Sequence, residues 1–343
     1  MSTRTAVVGA GAMGKGHLRA LNGLDTAQVV ALVDPNAETL AAVAAEHEVP
    51  ATYADVPSML EAEKPEYVVV ASPVLYHAEQ SIAAFEAGAH VLCEKPLSMD
   101  MGEAEAIVAA CKHAGRLFTM GFQARQSRAY RALKAFVEAE RLGPVYHSRV
   151  WSGHIMNYPW GRYHHKKEYS FGGVMATTVV HILDAALWVL GSPQPVTVSA
   201  SAFRRLDKLP DPPIRFEGTP ADVTVEDFSH AHVRFADGSS MSIEGNWLMH
   251  PSDHRTGFEL HGVLGVARDN GEAVELEKKS DIILEKLSVE EGPTDRTAAE
   301  HEEFIAAIGG SGEPQVSFKE ALSVQRILVG IYRPAEASAE VEV

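Results

Sequence analysis

The chain has 343 residues, which is too long for one small hydrophobic core, so its length predicts two domains. Its 46% hydrophobic residues are ordinary for a globular protein, and its net charge of −16 argues against nucleic acid and anionic membranes as partners. Two cysteines, Cys93 and Cys111, exclude a rich disulfide framework. With no signal-peptide pattern and no apolar run of membrane-spanning length, we expect a cytoplasmic protein.

A glycine-rich turn follows the first apolar run and leads into a helical pattern. Gly9 permits a tight turn, Gly11 lets the backbone approach a pyrophosphate, and Gly14 lets the helix pack close to the strand. Ala12 and Met13 open the helix, whose exposed amides and positive dipole end would hold the diphosphate. An ordinary tight turn is the alternative, but the strand before it and the helix after it favour a dinucleotide site.

Asp34 follows the second predicted strand at the spacing expected for a carboxylate that binds the adenosine ribose hydroxyls. No Arg or Lys comes directly after Asp34 to meet a 2′-phosphate. The sequence therefore predicts NAD rather than NADP as the cofactor.

Strands and helices alternate through the first third of the chain, which is typical of an α/β, Rossmann-type, doubly wound parallel sheet. The carboxyl ends of such strands share one edge, so we expect the loops at Gly9, Asp34, Ser72, Glu94 and Gly121 to converge on one cleft. The predicted strands are 4–8, 28–33, 67–71, 89–93 and 116–120, and the predicted helices are 13–24, 37–46 and 76–86.

After about residue 125, polar and apolar residues alternate as in half-buried antiparallel strands, with fewer helices. We expect an NAD-binding domain at 1–124 and an α+β substrate-binding and oligomerisation domain with an open, largely antiparallel sheet at 125–343. The final helix is a candidate to pack back on the first domain. The predicted strands are 145–155, 196–205, 229–235, 240–248 and 258–266, and the predicted helices are 128–141, 174–190, 298–308 and 319–332.

Two further motifs, taken with the glycine turn, resemble the glucose-fructose oxidoreductase/inositol dehydrogenase/rhizopine-catabolism (Gfo/Idh/MocA) family from Arg4 to about Tyr332. The first motif is Glu94-Lys95-Pro96, preceded by Ser72-Pro73 and His77. The second motif is Gly172-Gly173, followed by His181-x-x-Asp184 and then by Leu187-Trp188-Val189-Leu190-Gly191. The resemblance implies sugar or cyclitol substrates and a homodimer or homotetramer formed through the second domain's sheet. It also implies cofactor contacts from Ser72, Pro73, His77, Glu94, Lys95 and Gln123.

By the same resemblance, Lys95 is the residue that meets the reacting hydroxyl. An amine whose pKa is lowered by burial can take the hydroxyl proton near neutral pH. Pro96 restrains the backbone there, and the family suggests a cis bond before it. The alternative for Lys95 is a solvated lysine at a strand end.

Thr177, His181 and Asp184 lie at i, i+4 and i+7 of a predicted apolar helix and would share one face. His181 is then a candidate proton relay or substrate ligand, with Asp184 as its orienting partner, unless it is an ordinary core histidine. Family dehydrogenases usually carry an aspartate where this chain has Thr177, and a glycine where it has Phe171. Either the relay is rebuilt from another group, or the reaction is not a plain alcohol oxidation.

An aromatic and basic stretch precedes this helix and would suit a sugar ring with an anionic substituent. A solvated surface loop is an equal alternative. Its substrate-binding candidates are Tyr158, Trp160, Arg162, His164 and His165. Arg125, beyond the strand that ends near Gly121, also points toward the cleft by this topology. The sixteen histidines show no zinc-site spacing, so we expect no metal.

The leading hypothesis is an NAD-dependent oxidoreductase that acts on a secondary hydroxyl of a sugar, cyclitol or derivative. The second is a redox-neutral glycosidase or lyase in which transient oxidation, elimination, water addition and reduction cleave an acidic, carboxylated or sulfonated sugar glycoside. A non-catalytic NAD or sugar sensor is the third. Lys95 and His181 argue against the sensor.

Overall fold

The computed structural model describes residues 2–153, 160–209, 215–248, 256–269, 274–278, 284–287, 293, 295–337 and 341–343. The chain forms two compact units. The first unit contains Met1–Gln123 and Pro293–Ala321, and the second contains Ala124–Gly292 and Leu322–Val343.

The first unit contains a six-stranded parallel sheet of strand order β3-β2-β1-β4-β5-β6 with helical connections. This confirms the predicted Rossmann-type sheet. Its elements before residue 124 are β1 Thr3–Val8, α1 Ala12–Asn22, β2 Ala27–Val33, α2 Ala37–Glu46, β3 Thr52–Tyr53, α3 Val56–Glu63, β4 Tyr67–Val70, α4 His77–Glu86, β5 His90–Cys93, α5 Met101–Ala114 and β6 Phe118–Met120.

Local sequence sets the bounds of these elements. β4 is a continuous apolar run without exposed residues, as expected for a parallel strand covered on both faces. Helices α2, α3 and α5 begin after Asn36, Asp55 and Asp100, whose side chains accept a backbone amide of the first turn. α5 ends at Gly115, which adopts the left-handed conformation that glycine tolerates best.

The second unit contains a nine-stranded sheet of order β16-β15-β14-β13-β7-β12-β11-β9-β17, in which the described pairs are antiparallel except β7 with β12. This confirms the predicted open, largely antiparallel sheet. The elements after residue 124 are α6 Arg128–Glu138, β7 Val145–Ser152, β8 Trp160–Gly161, α7 Lys167–Ser170, α8 Val180–Val189, β9 Pro195–Phe203, β10 Arg215–Phe216, β11 Phe228–Phe235, β12 Ser240–Asn246, β13 Thr256–Gly262, β14 Gly265–Asp269, β15 Val274–Lys278, β16 Leu284–Leu287, α9 Arg296–Ile308, α10 Phe318–Ala337 and β17 Val341–Glu342.

The predicted single strand 258–266 is wrong, because β13 ends at Gly262 and β14 starts at Gly265. Val263 and Leu264 form the exposed tip of this hairpin, and their amides donate to the carbonyls of Pro144 and Leu142. The alternation of polar and apolar residues continues through the turn, so the sequence pattern gave no sign of the hairpin.

The predicted helix 174–190 is two segments, a π-helical segment Met175–Val179 followed by α8. The stretch Lys167–Val189 is long and apolar enough to cross a membrane by length and composition. However, 78% of its most apolar window is buried inside the protein, which is the environment of a core helix.

In the first unit, helix α9 packs against α1 and completes the core. Phe304 of α9 lies in one buried apolar cluster with Leu18 and Leu21 of α1, and its ring meets that of Tyr67 edge to face. This packing brings residues near 300 of the chain beside the glycine turn's helix.

Candidate functional site

The glycine turn between β1 and α1 has the shape expected of a diphosphate cradle. Gly9 has a φ of +102°, and a Cβ atom there would lie 2.6 Å from the Ala71 carbonyl oxygen. A Cβ on Gly14 would overlap the Gly9 carbonyl, so helix and strand are in close contact. The N-cap residue Gly11 provides no side-chain cap and has open space at its Cβ position. The first amides of α1, including those of Ala12 and Met13, thus suit an incoming anion.

Asp34 is held beside this turn by two backbone amides. Its Oδ2 accepts from the Ala10 amide at 2.9 Å, and its Oδ1 accepts from the Asn36 amide at 2.9 Å. A carboxylate fixed in this way retains free lone pairs for a ribose diol, and Pro35 and Asn36 supply no cation for a 2′-phosphate. Together, the turn and Asp34 fit NAD.

His77 connects the loops that follow β4 and β5. Its Nε2 lies 2.9 Å from the Ser72 carbonyl oxygen, and its Nδ1 lies 2.9 Å from the Pro96 carbonyl oxygen. The ring is buried, and this burial lowers its pKa. The Lys95–Pro96 bond is cis. The predicted residues Ser72, Pro73 and His77 therefore lie at the same sheet edge as Lys95.

Glu94 is a buried carboxylate directly behind Lys95. Its Oε2 accepts from the Lys95 amide at 3.1 Å, and its Oε1 accepts from Gln123 Nε2 at 3.1 Å. A Cβ on Gly121 would lie 2.5 Å from Oε1, so glycine leaves the space that the carboxylate occupies. Burial lowers the pKa of the half-buried Lys95, while the negative charge of Glu94 acts in the opposite direction.

Two buried histidines that the sequence analysis did not single out extend this cluster. His17 Nε2 lies 3.1 Å from Glu94 Oε1, and His17 Nδ1 lies 3.0 Å from His301 Nε2. His301 Nδ1 lies 2.7 Å from the Tyr67 hydroxyl. One signal was available, because His17 lies three residues after Gly14 and thus on the face of α1 that packs on the sheet. Nothing local indicated His301.

In the second unit, Thr177 lies within the π-helical segment. Its amide and its hydroxyl both donate to the Gly173 carbonyl, at 2.9 and 2.7 Å. A π turn is wider than an α turn, so the α-helical spacing that put Thr177 on one face with His181 and Asp184 does not describe this backbone. His181, at the start of α8, is half-buried. Isolated π turns in helices occur often at functional sites.

Arg125 and Asp184 form a bidentate ion pair within the second unit. Arg125 Nε lies 2.8 Å from Oδ2 and Nη2 lies 2.7 Å from Oδ1, with 1% and 0% of the side chains exposed. The guanidinium also lies 5.6 Å from the centre of the Trp188 ring. The charge of Arg125, predicted to face a substrate, is compensated by Asp184, predicted to orient His181. The pair links the segment after β6 to α8.

A second buried carboxylate, Glu226, holds the Gly172-Gly173 motif and was not predicted. It accepts from the Gly173 amide at 2.8 Å, the Met175 amide at 3.0 Å and the Tyr332 hydroxyl at 2.8 Å. A Cβ on Gly172 would overlap that hydroxyl, and one on Gly173 would overlap the Glu226 carbonyl. Burial raises the pKa of Glu226, and these donors oppose the rise. Both glycines are therefore required by packing around the π-helical segment.

The aromatic and basic stretch is described only in part. Tyr158 and the side chain of Trp160 lie outside the described residues, and His164 is half-buried. Arg162 is exposed and pairs with Glu217 at 2.9 Å. His165 is buried against the Phe216 ring, and neither ring nitrogen has a hydrogen-bond partner among the described residues. Within the described part of the chain, no group of three His, Cys, Asp or Glu side chains could hold a metal ion.

Comparison with known proteins gives matches over most of the chain. A family model described as "Oxidoreductase family, NAD-binding Rossmann fold" matches residues 3–122, and the "GFO/IDH/MocA C-terminal domain" model matches residues 130–268. D-glucoside 3-dehydrogenase of Escherichia coli (strain K12) is 26% identical over 351 residues, covering 99% of this chain and 97% of that protein. Inositol 2-dehydrogenase of Pseudomonas fluorescens (strain SBW25) is 32% identical, covering 66% of this chain and 68% of that protein.

Solved structures match the fold from end to end. Levoglucosan dehydrogenase in complex with NADH and levoglucosan superimposes with a TM-score of 0.84 at 22% identity, with 100% of both chains covered. An oxidoreductase domain protein from Kribbella flavida gives a TM-score of 0.88 at 23% identity, again with 100% of both chains covered. At these identities the two structures establish the fold alone.

Proposed function

The chain belongs to the Gfo/Idh/MocA oxidoreductase family and is an NAD-dependent enzyme, and from this premise we propose that it oxidises a secondary hydroxyl of a sugar, a cyclitol or a related polyol. One observation carries the proposal: Lys95 follows β5 at the same carboxyl edge of the sheet as the glycine turn that fits NAD, and burial lowers the pKa of its amine. A neutral amine at this position is a general base for a hydroxyl proton.

The cofactor-binding residues divide by the part of NAD that they would hold. The diphosphate would meet the amides of Ala12 and Met13 above Gly9, Gly11 and Gly14, while Asp34 would bind the adenosine ribose. The nicotinamide end would face Ser72, Pro73, His77, Glu94, Lys95 and Gln123. When bound, NAD supplies the acceptor for the hydride that leaves the substrate carbon.

The chain's own residues handle the proton and the substrate's orientation. Lys95 Nζ takes the proton of the reacting hydroxyl, and Glu94 stabilises the resulting ammonium. His181 donates to or accepts from a neighbouring hydroxyl of the substrate. The ion pair of Asp184 with Arg125 fixes α8, which carries His181. Thr177 is a further candidate for substrate binding, whereas the Arg125 guanidinium is buried and already paired with Asp184.

The substrate class follows from relatives of different coverage. The full-length relative is named for oxidation of D-glucosides at position 3, and the shorter match is named for inositol at position 2. Both names describe a secondary ring hydroxyl. We therefore infer that D-glucosides are the first substrates to test, with inositols as the second class.

The test is turnover by the purified protein and a Lys95→Met variant with a panel of glucosides, inositols and anionic glycosides. Absorbance of NADH and mass spectrometry of products are read in the same wells. The proposal expects one NADH per keto product, and a loss of about 100-fold or more in kcat for Lys95→Met. Lys112→Met, on the exposed face of α5, is the matched control and should keep full activity. Unchanged turnover by Lys95→Met would reject the assignment.

Thr177 favours a second candidate, a redox-neutral glycosidase or lyase. Its hydroxyl cannot act as the carboxylate that family dehydrogenases carry there, so the acid and base are arranged differently. Such an enzyme would cleave a carboxylated or sulfonated glycoside, with His164 near the anionic group; His165 is less suited because its ring is buried. Arg162 is less suited because Glu217 already pairs with it. Cleavage that needs NAD but accumulates no NADH would support this candidate, and cleavage after complete removal of NAD would exclude it.

We also propose that the enzyme forms a homodimer or homotetramer through the open face of its C-terminal sheet. Side chains of β11 and β12 alternate between buried and more exposed positions, which leaves one face of the sheet for contacts. Light scattering during size-exclusion chromatography tests this, because a monomeric mass would contradict it. The two buried free thiols suit a reducing compartment, and we propose a cytoplasmic location.

A further inference from the structure

Four buried side chains from separate elements form an unbroken hydrogen-bonded line behind Lys95. The line runs from Tyr67 on β4 through His301 on α9 and His17 on α1 to Glu94 after β5, with successive distances of 2.7, 3.0 and 3.1 Å. Tyr67, His17 and His301 are each 0% exposed, and Glu94 is 3% exposed. Burying three polar rings costs free energy unless their polar atoms are hydrogen-bonded, and this line supplies those hydrogen bonds.

We propose that His17 and His301 are positioning residues for Lys95: through hydrogen bonds they hold the Glu94 carboxylate in place against the main-chain amide of Lys95. The inference rests on the proposed role of Lys95 as the base. It adds two residues that touch neither substrate nor cofactor and that act through Glu94.

The direction of the hydrogen bonds follows from the carboxylate end. Glu94 already accepts from the Lys95 amide and from Gln123, so it acts as an acceptor toward His17 Nε2 as well. A neutral His17 then accepts at Nδ1 from His301 Nε2. Neutral His301 in turn accepts at Nδ1 from the Tyr67 hydroxyl. The neutral state of His301 agrees with its burial, which holds its pKa well below the usual range.

Three titratable groups outside the line act on its members. His77 and Lys95 interact with Glu94, and Glu300 interacts with Tyr67. Burial and the nearby Glu300 raise the pKa of Tyr67 well above its usual value, so Tyr67 stays a hydroxyl donor. Glu94 also raises the pKa of His77, against the larger effect of burial.

The consequence for Lys95 has a definite sign. The Glu94 charge raises the pKa of Lys95, while burial lowers it. If His17 no longer donates to Glu94, the carboxylate loses a donor and gains a proton more readily. The positive form of Lys95 then loses its counter-charge, and its pKa falls further. A purely structural role for His17 would not move the pKa of Lys95 in this direction.

The test measures the pKa of the Lys95 amine by trace labelling with acetic anhydride over pH 6–11, quantified by mass spectrometry. For His17→Phe we expect a value about one pH unit lower than in the unaltered protein. His17→Gln retains an N–H toward Glu94 and should restore most of the difference. Glu94→Gln should lower the value at least as far, and His17→Phe should then have no further effect. The exposed His113→Phe is the control and should leave it unchanged.

An unchanged Lys95 pKa in a folded His17→Phe variant would overturn the proposal, as would additive effects of His17→Phe and Glu94→Gln. If His17→Phe does not fold, the proposal can still be tested by a second measurement on the unaltered protein. Nitrogen-15 spectra should show His17 and His301 neutral at pH 7 and protonated at Nε2, and a doubly protonated or Nδ1-protonated ring overturns the proposal. Neither measurement depends on turnover, whereas the role of Lys95 as a base is tested by the turnover of Lys95→Met. A failure of this proposal can therefore be distinguished from a failure of the base assignment.

Discussion

Arg125 and Asp184 exchange two hydrogen bonds, of 2.8 and 2.7 Å, in a part of the second unit from which water is almost fully excluded. The guanidinium is flat and matches both carboxylate oxygens at once, so the pair has one favoured geometry. It fixes α8, and with it His181, to the residues that follow β6. Positioning of the helix is therefore the first role that the structure supports for both residues.

Replacing one member of this pair should destabilise the protein more than replacing both members. We expect Asp184→Leu to lower the free energy of unfolding by about 3–5 kcal/mol, because an uncompensated guanidinium stays buried. Arg125→Met should lower the free energy of unfolding by a similar amount, because the Asp184 carboxylate then stays buried without a counter-charge. The double variant should lose less than either single variant. Urea unfolding of the four proteins measures the cycle, and additive losses would show that the two side chains act independently.

Two glycines of α1 should respond oppositely to the same substitution. In Gly14→Ala the new methyl overlaps the Gly9 carbonyl, so the glycine turn must shift and NAD binding should weaken at least 10-fold. Gly16→Ala meets no atom within 4 Å and should stabilise the helix by about 0.5–1 kcal/mol without changing NAD affinity. Titration calorimetry with NAD and thermal unfolding compare the two variants. Equal NAD affinity in both would contradict the close packing at Gly14.

The rate of oxidation should rise with pH over a range below that of an ordinary lysine. Lys95 acts as a base only when its amine is neutral, and burial lowers its pKa from the usual value, about 10.5. Activity is therefore lost as the pH falls through the Lys95 pKa. Because Glu94 raises that pKa, Glu94→Gln should move the rising limb of kcat/KM to lower pH. A limb that moves upward in Glu94→Gln would reverse the assigned sign.

Glu226 should be more sensitive to substitution than its hydrogen-bonded neighbour Tyr332. In Glu226→Gln an amide N–H group faces donors that the carboxylate accepted, so we expect a loss of about 1–3 kcal/mol in the free energy of unfolding. Tyr332→Phe removes one donor of three and should cost about 1 kcal/mol. Chemical denaturation ranks the two variants. The reverse order would argue that Tyr332, rather than Glu226, anchors the π-helical segment.

The sequence predicted the features that depend on local pattern. Apolar runs predict the parallel strands, and Gly9, Asp34 and Glu94 follow the ends of these runs. The position of these three residues at one edge of the sheet could therefore be inferred. The resemblance to a family singled out Lys95. Whether Lys95 and His181 are the catalytic residues stays a prediction.

Features that depend on tertiary contact could not be read from pattern. His17 and His301 are 284 positions apart and meet only because α9 packs on α1. Arg125 and Asp184 carry ordinary charges in the sequence, and only the fold pairs them across 59 positions. The π-helical segment at Thr177 was concealed because an apolar helix has the same composition whether its turns are α or π.

The most direct test of the central hypothesis is the stoichiometry of NADH to product for the unaltered enzyme acting on a D-glucoside, measured in one reaction by absorbance and mass spectrometry. We predict one NADH for each ketone formed at a secondary ring carbon, and ketone formation at least about 100-fold slower with Lys95→Met. Glucoside consumption without NADH, or ketone formation at an unchanged rate by Lys95→Met, would contradict it.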